Sequence, residues 1–289
     1  MKPVSLILGA VVVLLATLAC SITIPSVDIM TGPETETIIE VPRLSDPSQE
    51  AYVTLAFGAN ELRLSPGATH GLVSGTVRTN LKDFEPTVKI NGADIRIEQG
   101  DLDVQGLPNF RADDVINKWD LQLGSDPIRL RITGGAYRGE VDLGGLALTD
   151  LYVSDGAATV NVDFSAPNTA EMSSLRYETG ASTVELHNLA NANFTSMNFR
   201  SGAGTYTLDF GGTLRRDARV DVESGLSTLI IVVPQGTAAE VEVSGGLSSV
   251  EARGAWEMGD SAHYEVEGEG SRIRIDVTMG AGTVILETR

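Results

Sequence analysis

Leu175-Arg-Tyr177-Glu-Thr-Gly180-Ala-Ser-Thr183-Val184-Glu-Leu186 carries the pattern that decides the fold. Apolar residues stand five and three places before the glycine, and again four and six places after it. Gly135, Gly156, Gly202, Gly225 and Gly246 repeat the first half, preceded by Leu130 and Ile132, Leu151 and Val153, Met197 and Phe199, Val220 and Val222, and Val241 and Val243. The second half recurs as Val160 and Val162, Tyr206 and Leu208, Leu229 and Ile231, and Val250 and Ala252. The Gly135 unit departs, with Gly139 at the first of the later places and its apolar pair at Val141 and Leu143.

Alternation with period two sends these apolar residues to one face of a strand and residues such as Arg176, Asn198, Asp221 and Glu242 to the other. Each unit therefore reads as strand, corner, strand. Corners such as Gly-Ala-Ser-Thr183, Gly-Ala-Gly-Thr205 and Gly-Leu-Ser-Thr228 join a residue tolerant of positive φ to small polar side chains, which suits a tight turn repeated at successive heights. A unit of roughly 22 residues, at about 3.3 Å per residue, traces a closed path wide enough for an apolar interior. The expected fold is all-β, a single-stranded right-handed parallel β-solenoid with like residues stacked above like. The alternative is an antiparallel β-sandwich, since strands every ten or so residues also suit a meander. The constant register around the glycine favours the solenoid, because a meander has no need to repeat one turn sequence at every second bend.

Toward the C-terminus the phase continues through Tyr264 and Val266, then Ile273 and Ile275, with Glu269 at the glycine position. It then shortens, and Ile273 to Leu286 through Met279-Gly-Ala-Gly-Thr283 reads as a hairpin covering the open end of the stack. Trp256, in the detour Ala255 to Asp260, reads as a plug against that end. Toward the N-terminus, Ala51 to Leu64 repeats the signature around Gly58, with Val53 and Leu55 before it and Leu62 and Leu64 after. Between Ser65 and Ser125 the phase is lost, although Val88, Ile90, Ile95, Ile97 and Trp119 to Leu123 still alternate. Asn109 to Asn117 is the one plausible helical turn. The body thus divides into an irregular β region over 50–129 and a regular solenoid with a C-terminal hairpin cap over 130–289.

Residues 1–19 read as a signal peptide: Lys2, the apolar run Leu6 to Ala16, then small residues up to Ala19. That run is short of the roughly 20 apolar residues a spanning helix needs. Cys20, the one cysteine, falls where cleavage is expected, and Thr17-Leu-Ala-Cys20 resembles the bacterial lipobox, departing at Thr17, where an apolar residue is usual. Cys20 is accordingly the expected lipidation site, carrying acyl chains such as palmitate and holding the protein on a membrane, facing outward in the bacterial cell envelope. Residues 20–49, with Pro25, Pro33, Pro42 and Pro47 and no sustained period, read as a lipidated tether whose Ile38-Ile39 pair could dock on the body. A single cysteine forms no intramolecular disulfide, so stability comes from the core.

The chain of 289 residues has 39 acidic against 21 basic side chains, a net charge of −18. Such a field repels phosphates and disfavours nucleic acid. His70, His187 and His263 are scattered, and none has a metal-binding spacing. His187 aligns with Asp163 and Asp209 on neighbouring coils, a column that reads as solvated surface. No nucleophile elbow occurs. Asp101, Asp103, Asp113 and Asp114 are the nearest candidates for polysaccharide-cleaving carboxylates, but their spacing fits no known loop and aromatic residues are few. The alternation of Glu265, Glu267 and Glu269 reads as a solvated strand face. No catalytic, cofactor or metal residue is assigned.

Ala51 to Leu64, Thr87 to Gly100, Trp119 to Leu123 and the repeated corners resemble the toast-rack domains of bacterial envelope proteins, which are related to cell-wall-active antibiotics response proteins of the LiaF type. The resemblance covers most of the chain after the signal. It implies a β-solenoid body on the outer side of a membrane, adhesin-like, and in some members a part in envelope-stress signalling. It brings no catalytic residues. The expected function is a non-catalytic envelope lipoprotein that binds or senses an envelope protein or glycan, the alternative an adhesin-like or structural surface protein.

Overall fold

The computed structural model describes residues 31–101, 115–259 and 262–289, and the backbone of 26–28 and 107–109. In chain order the strands are β1 (Ser26–Asp28), β2 (Thr35–Pro42), β3 (Ala51–Pro66), β4 (Gly71–Thr79), β5 (Pro86–Asn91), β6 (Asp94–Gln99), β7 (Leu107–Asn109), β8 (Asn117–Leu123) and β9 (Pro127–Asp142). There follow β10 (Ala147–Asp163), β11 (Met172–His187), β12 (Phe194–Asp209), β13 (Ala218–Val233), β14 (Ala238–Arg253), β15 (Glu257–Met258), β16 (His263–Val266) and β17 (Arg272–Thr288). Short 3-10 turns occur at Lys82–Phe84 and Leu189–Ala192.

Eight of these strands, each 16 or 17 residues long, lie side by side and parallel in the order β3, β9, β10, β11, β12, β13, β17, β14 from one end to the other. Their register is the one that the repeat demands. Val53, Leu130, Leu151, Leu175, Met197, Val220, Ile275 and Val241 form one continuous column, with neighbours paired across every rung. The parallel ladder is a solenoid stack and rules out the antiparallel sandwich. Inward residues fall at odd places before each glycine and even places after it. In β10, for example, Leu151, Val153 and Asp155 are buried, Gly156 and Ala157 are exposed, and Ala158, Val160 and Val162 are buried. Two successive outward residues turn the strand around its own core.

The corner glycines are required for a different reason than positive φ. None of Gly58, Gly135, Gly156, Gly180, Gly202, Gly225, Gly280 and Gly246 has one. They stack in a single column in which, on every one but Gly58, a Cβ would meet the carbonyl of the glycine in the adjoining rung: 2.3 Å for Gly180 on Gly156, 2.5 Å for Gly202 on Gly180. Close backbone approach, repeated at every height, excludes a side chain. The irregular Gly139 is explained by Tyr137, whose ring fills the space there: a Cβ on Gly139 would lie 2.9 Å from it, and one on Gly134 2.8 Å. Phe57, Trp119 and Tyr137 form an edge-to-face cluster beneath it, with centroids 5.5 Å and 5.0 Å from Phe57.

The phase lost after Ser65 also has a structural cause. β6 pairs with the first half of β3 (Val53 with Ile95, Leu55 with Ile97) and β8 with the second half (Leu62 with Trp119, Leu64 with Leu121). Together they make one more rung, with an insertion at its corner. Antiparallel strands then cover this end, β5 on β6, β4 on β8 and β2 on β4. The segment expected as a tether is therefore part of the body from Thr35 on: Ile39 and Val41 are buried, whereas Ile38 is 68% exposed.

At the other end, Arg272–Thr288 is not a closing hairpin. It is a complete rung, inserted between β13 and β14. Ile273, Ile275, Val277, Val284 and Leu286 are all buried, so it fits where both edges are paired, while β14, whose second half carries Ser248, Ser249 and Glu251, takes the outer place. The cover comes instead from β16, antiparallel on β14 at Ala239 to Glu242, and from β15 on β16. Trp256 packs against the core here, as expected of a plug. β16 stops at Val266, so Glu267 and Glu269 do not continue a strand face.

Candidate functional site

Several residues singled out in the sequence fall outside the described residues: the leader, Thr17, Cys20, Asp103, Asp113, Asp114 and most of the 109–117 turn. Asp101 is exposed just after β6, and His70 is exposed in the turn from β3 to β4. His187 ends β11, with Nε2 3.3 Å from Glu185 and Nδ1 3.8 Å from Asp209, while Asp163 accepts the Asn188 side-chain amide at 2.7 Å. His263 lies 3.9 Å from Glu240. Among the described residues no three His, Cys, Asp or Glu side chains converge as metal ligands.

Two arrangements were not anticipated. The first is inside the solenoid. The places immediately before and two after each glycine point inward beneath the corner, and β10 and β11 fill them with Asp155, Thr179 and Ser182. Asp155, buried, accepts hydrogen bonds from the Tyr177 hydroxyl at 2.9 Å, from Thr179 and more weakly from Tyr137 at 3.5 Å. The Ser182 hydroxyl lies 2.6 Å from that of Thr179 and accepts the Ala158 N–H at 2.9 Å. Burial raises the Asp155 carboxyl above the ordinary aspartate value, against the pull of its hydroxyl donors. Burial first, and then the Asp155 charge, hold the Tyr137 phenol far above its usual range. The cage lacks a histidine or a second carboxylate to move a proton.

The second arrangement is outside. On the half of each rung before the corner, the outward residue four places ahead of the glycine forms a row across the strands: Arg96 on β6, Thr54 on β3, Arg131 on β9, Tyr152 on β10 and Arg176 on β11. It runs along an open groove of about 780 Å³. The Arg131 guanidinium lies 4.4 Å from the centre of the Tyr152 ring and that of Arg176 5.8 Å from it. Beside them Arg129 stands 5.0 Å from the Tyr52 ring, and its NH2 nitrogen lies 3.2 Å from Glu50. Stacking on rings holds the planar groups in place with their N–H edges free to face a ligand. The groove also offers acceptors: Glu178, bonded to the Tyr152 hydroxyl at 2.9 Å, and Asp150, whose carboxyl burial raises while Arg129 and Arg176 oppose the rise. Farther along the same row come Asn198, Asp221, Asp276 and Glu242, so the arginines of the row stand at one end. Alternation identified Arg176 as outward. The juxtaposition of Arg131, Tyr152 and Arg176 was also implicit in the register, since the three stand at equal distances from their corner glycines.

Residues 30–174, half of the chain, match the family model described as the N-terminal domain of toast_rack. No curated protein matches. Among solved structures, a candidate cell adhesion protein from Clostridium sporogenes is similar at 16% identity, over 89% of this chain and 99% of its own, with a TM-score of 0.50. A candidate adhesin from Bacteroides fragilis is similar at 13% identity, over 90% and 99%, with a TM-score of 0.46. At 16% identity the likeness to the first is one of fold. With the repeat, its register and the matched N-terminal half in agreement, the chain belongs to the toast-rack family.

Proposed function

We propose that this protein is a non-catalytic, adhesin-like binding module of the bacterial envelope, anchored through lipid on Cys20 and facing outward. The observation that carries the reading is the groove: arginines held on tyrosine rings, on the flat outer face of a rigid stack, in a chain of net charge −18. A binding surface needs fixed side chains on regular elements, and the ladder supplies them. The cell-adhesion description of the similar Clostridium sporogenes structure points the same way, as does the lipobox-like string ending at Cys20. Asp155, enclosed by hydroxyls, is poorly placed for acid–base work on a bound ligand. A link to envelope stress is the finer part of the proposal, in which occupancy of the module reports the state of the wall.

The test is a deletion strain complemented with the native gene or with Cys20→Ala. The native gene restores attachment to surfaces and incorporates labelled fatty acid, and Cys20→Ala does neither. Unchanged attachment in the deletion strain contradicts the adhesive reading; label persisting in Cys20→Ala contradicts the anchor. A change in cell-wall antibiotic tolerance on deletion supports the stress link, and unaltered tolerance removes it.

A further inference from the structure

We propose that the groove across β6, β3, β9, β10 and β11 binds an acidic glycan that carries one anionic group for every two sugars. The inference rests on the reading of this face as the binding surface and names its ligand class. Arg96, Arg131 and Arg176 occupy alternate positions of one row, with Thr54 and Tyr152 between them. Rungs are about 4.8 Å apart, so these positive charges recur at about 10 Å. That is about the length of two linked pyranose rings.

The chemistry between the arginines supports a sugar. Tyr152 occupies the interval between Arg131 and Arg176 and carries both guanidiniums, as Tyr52 carries that of Arg129, so each arginine is held at the groove wall. Asp150 and Glu178 offer acceptors for hydroxyls, which a densely charged polyanion would find repulsive. Arg131 and Arg176 make no ion pair of 4.0 Å or less with a carboxylate among the described residues, whereas Arg96 is joined to Glu98 at 2.7 Å and Arg129 to Glu50 at 3.2 Å. These two guanidiniums, held over one ring with no carboxylate within ion-pair distance, present planar forks to a carboxylate or a sulfate. The strongly negative remainder of the molecule excludes nucleic acid and polyphosphate, while a sparsely charged chain lying along the row meets only its positive end.

The test uses the full chain, purified in detergent, and titration calorimetry with three probes: a hyaluronan octasaccharide, with one carboxylate per disaccharide; a neutral chitin oligosaccharide of the same length; and inorganic polyphosphate. The expected result is binding of the first alone, weakened by salt and reduced at least about tenfold in Arg131→Gln and in Arg176→Gln. Arg200→Gln, on the same face but outside the row, serves as the control and retains affinity. Native circular dichroism in each variant separates lost contacts from lost folding. Absence of binding at about 1 mM, equal binding of the neutral or polyphosphate probe, or undiminished binding by both groove variants overturns the assignment. Such a failure with cell attachment intact removes the ligand class and leaves the adhesive module standing; loss of attachment in the deletion strain is independent of it.

Discussion

A methyl group at Gly180 would lie 2.3 Å from a backbone carbonyl that is itself fixed in the next rung. Gly180→Ala is therefore expected to cost about 3 kcal/mol or more, since neither partner can retreat without breaking the ladder. Urea denaturation measures it, and Gly236→Ala, in an uncrowded turn, is the comparison: its cost comes from positive φ alone. The glycine positions were legible in the sequence because they recur, but their reason was not, because a period says nothing about how closely successive coils approach. Asp155 was similarly in view and unmarked. It stands one place before its glycine, at an inward register that Thr179 and Ser224 also occupy, yet alternation was followed only through apolar residues. Its raised carboxyl has a thermodynamic sign. A group that holds its proton more tightly when folded lowers stability as pH rises, beginning at the ordinary value of 3.8 and ending above the raised one. Asp155→Asn removes that loss, so its urea midpoint rises relative to that of the native chain as pH rises through this window. Parallel curves for the two would refute the assignment. Asp155→Ala, which leaves the Tyr177 and Thr179 hydroxyls without an acceptor, is expected to cost about 1–3 kcal/mol at low pH, before that loss sets in, and less above it.

At the scale of elements, both ends of the stack backtrack. β3 precedes β6 and β8 in sequence yet lies inside them, and β17 follows β14 yet lies inside it. The repeat made each of these segments recognisable as a strand, but pattern cannot order rungs when all of them share it. The hairpin expectation for Ile273 to Leu286 failed for this reason: its glycine is a corner like the others, and the pairing that would have distinguished a cap lies in distant residues. A consequence follows for assembly. The last rung made is an internal one, and β13 and β14 remain unjoined until it enters. A chain ending at Glu269 is expected to lose amide protection throughout β14 and on the exposed edge of β13, while β9 to β12 keep theirs, because each rung depends chiefly on its neighbours. Hydrogen exchange read by mass spectrometry checks this. Uniform loss of protection would show that the stack folds only as a unit.

For the molecule as a whole, the solenoid separates two tasks: an interior that holds the stack together without disulfides, and a flat exterior on which side chains are placed by rung and register. The acidic balance was legible in the sequence, and the expectation against nucleic acid rests on it. The exception at one end was not, because net charge averages over faces. Anchoring at Cys20, proposed from the sequence, would leave the long face free to meet the cell's surroundings. The most direct measurement is photo-crosslinking in living cells from two positions on the body, Thr54 within the arginine row and Thr205 on the outward face beyond the corner. Abundant crosslinks to envelope or extracellular material from Thr54, few from Thr205, and loss of the former in the Arg131→Gln, Arg176→Gln double variant are the predicted result. Equal yields from both positions, or none from Thr54, would contradict the groove as the binding surface.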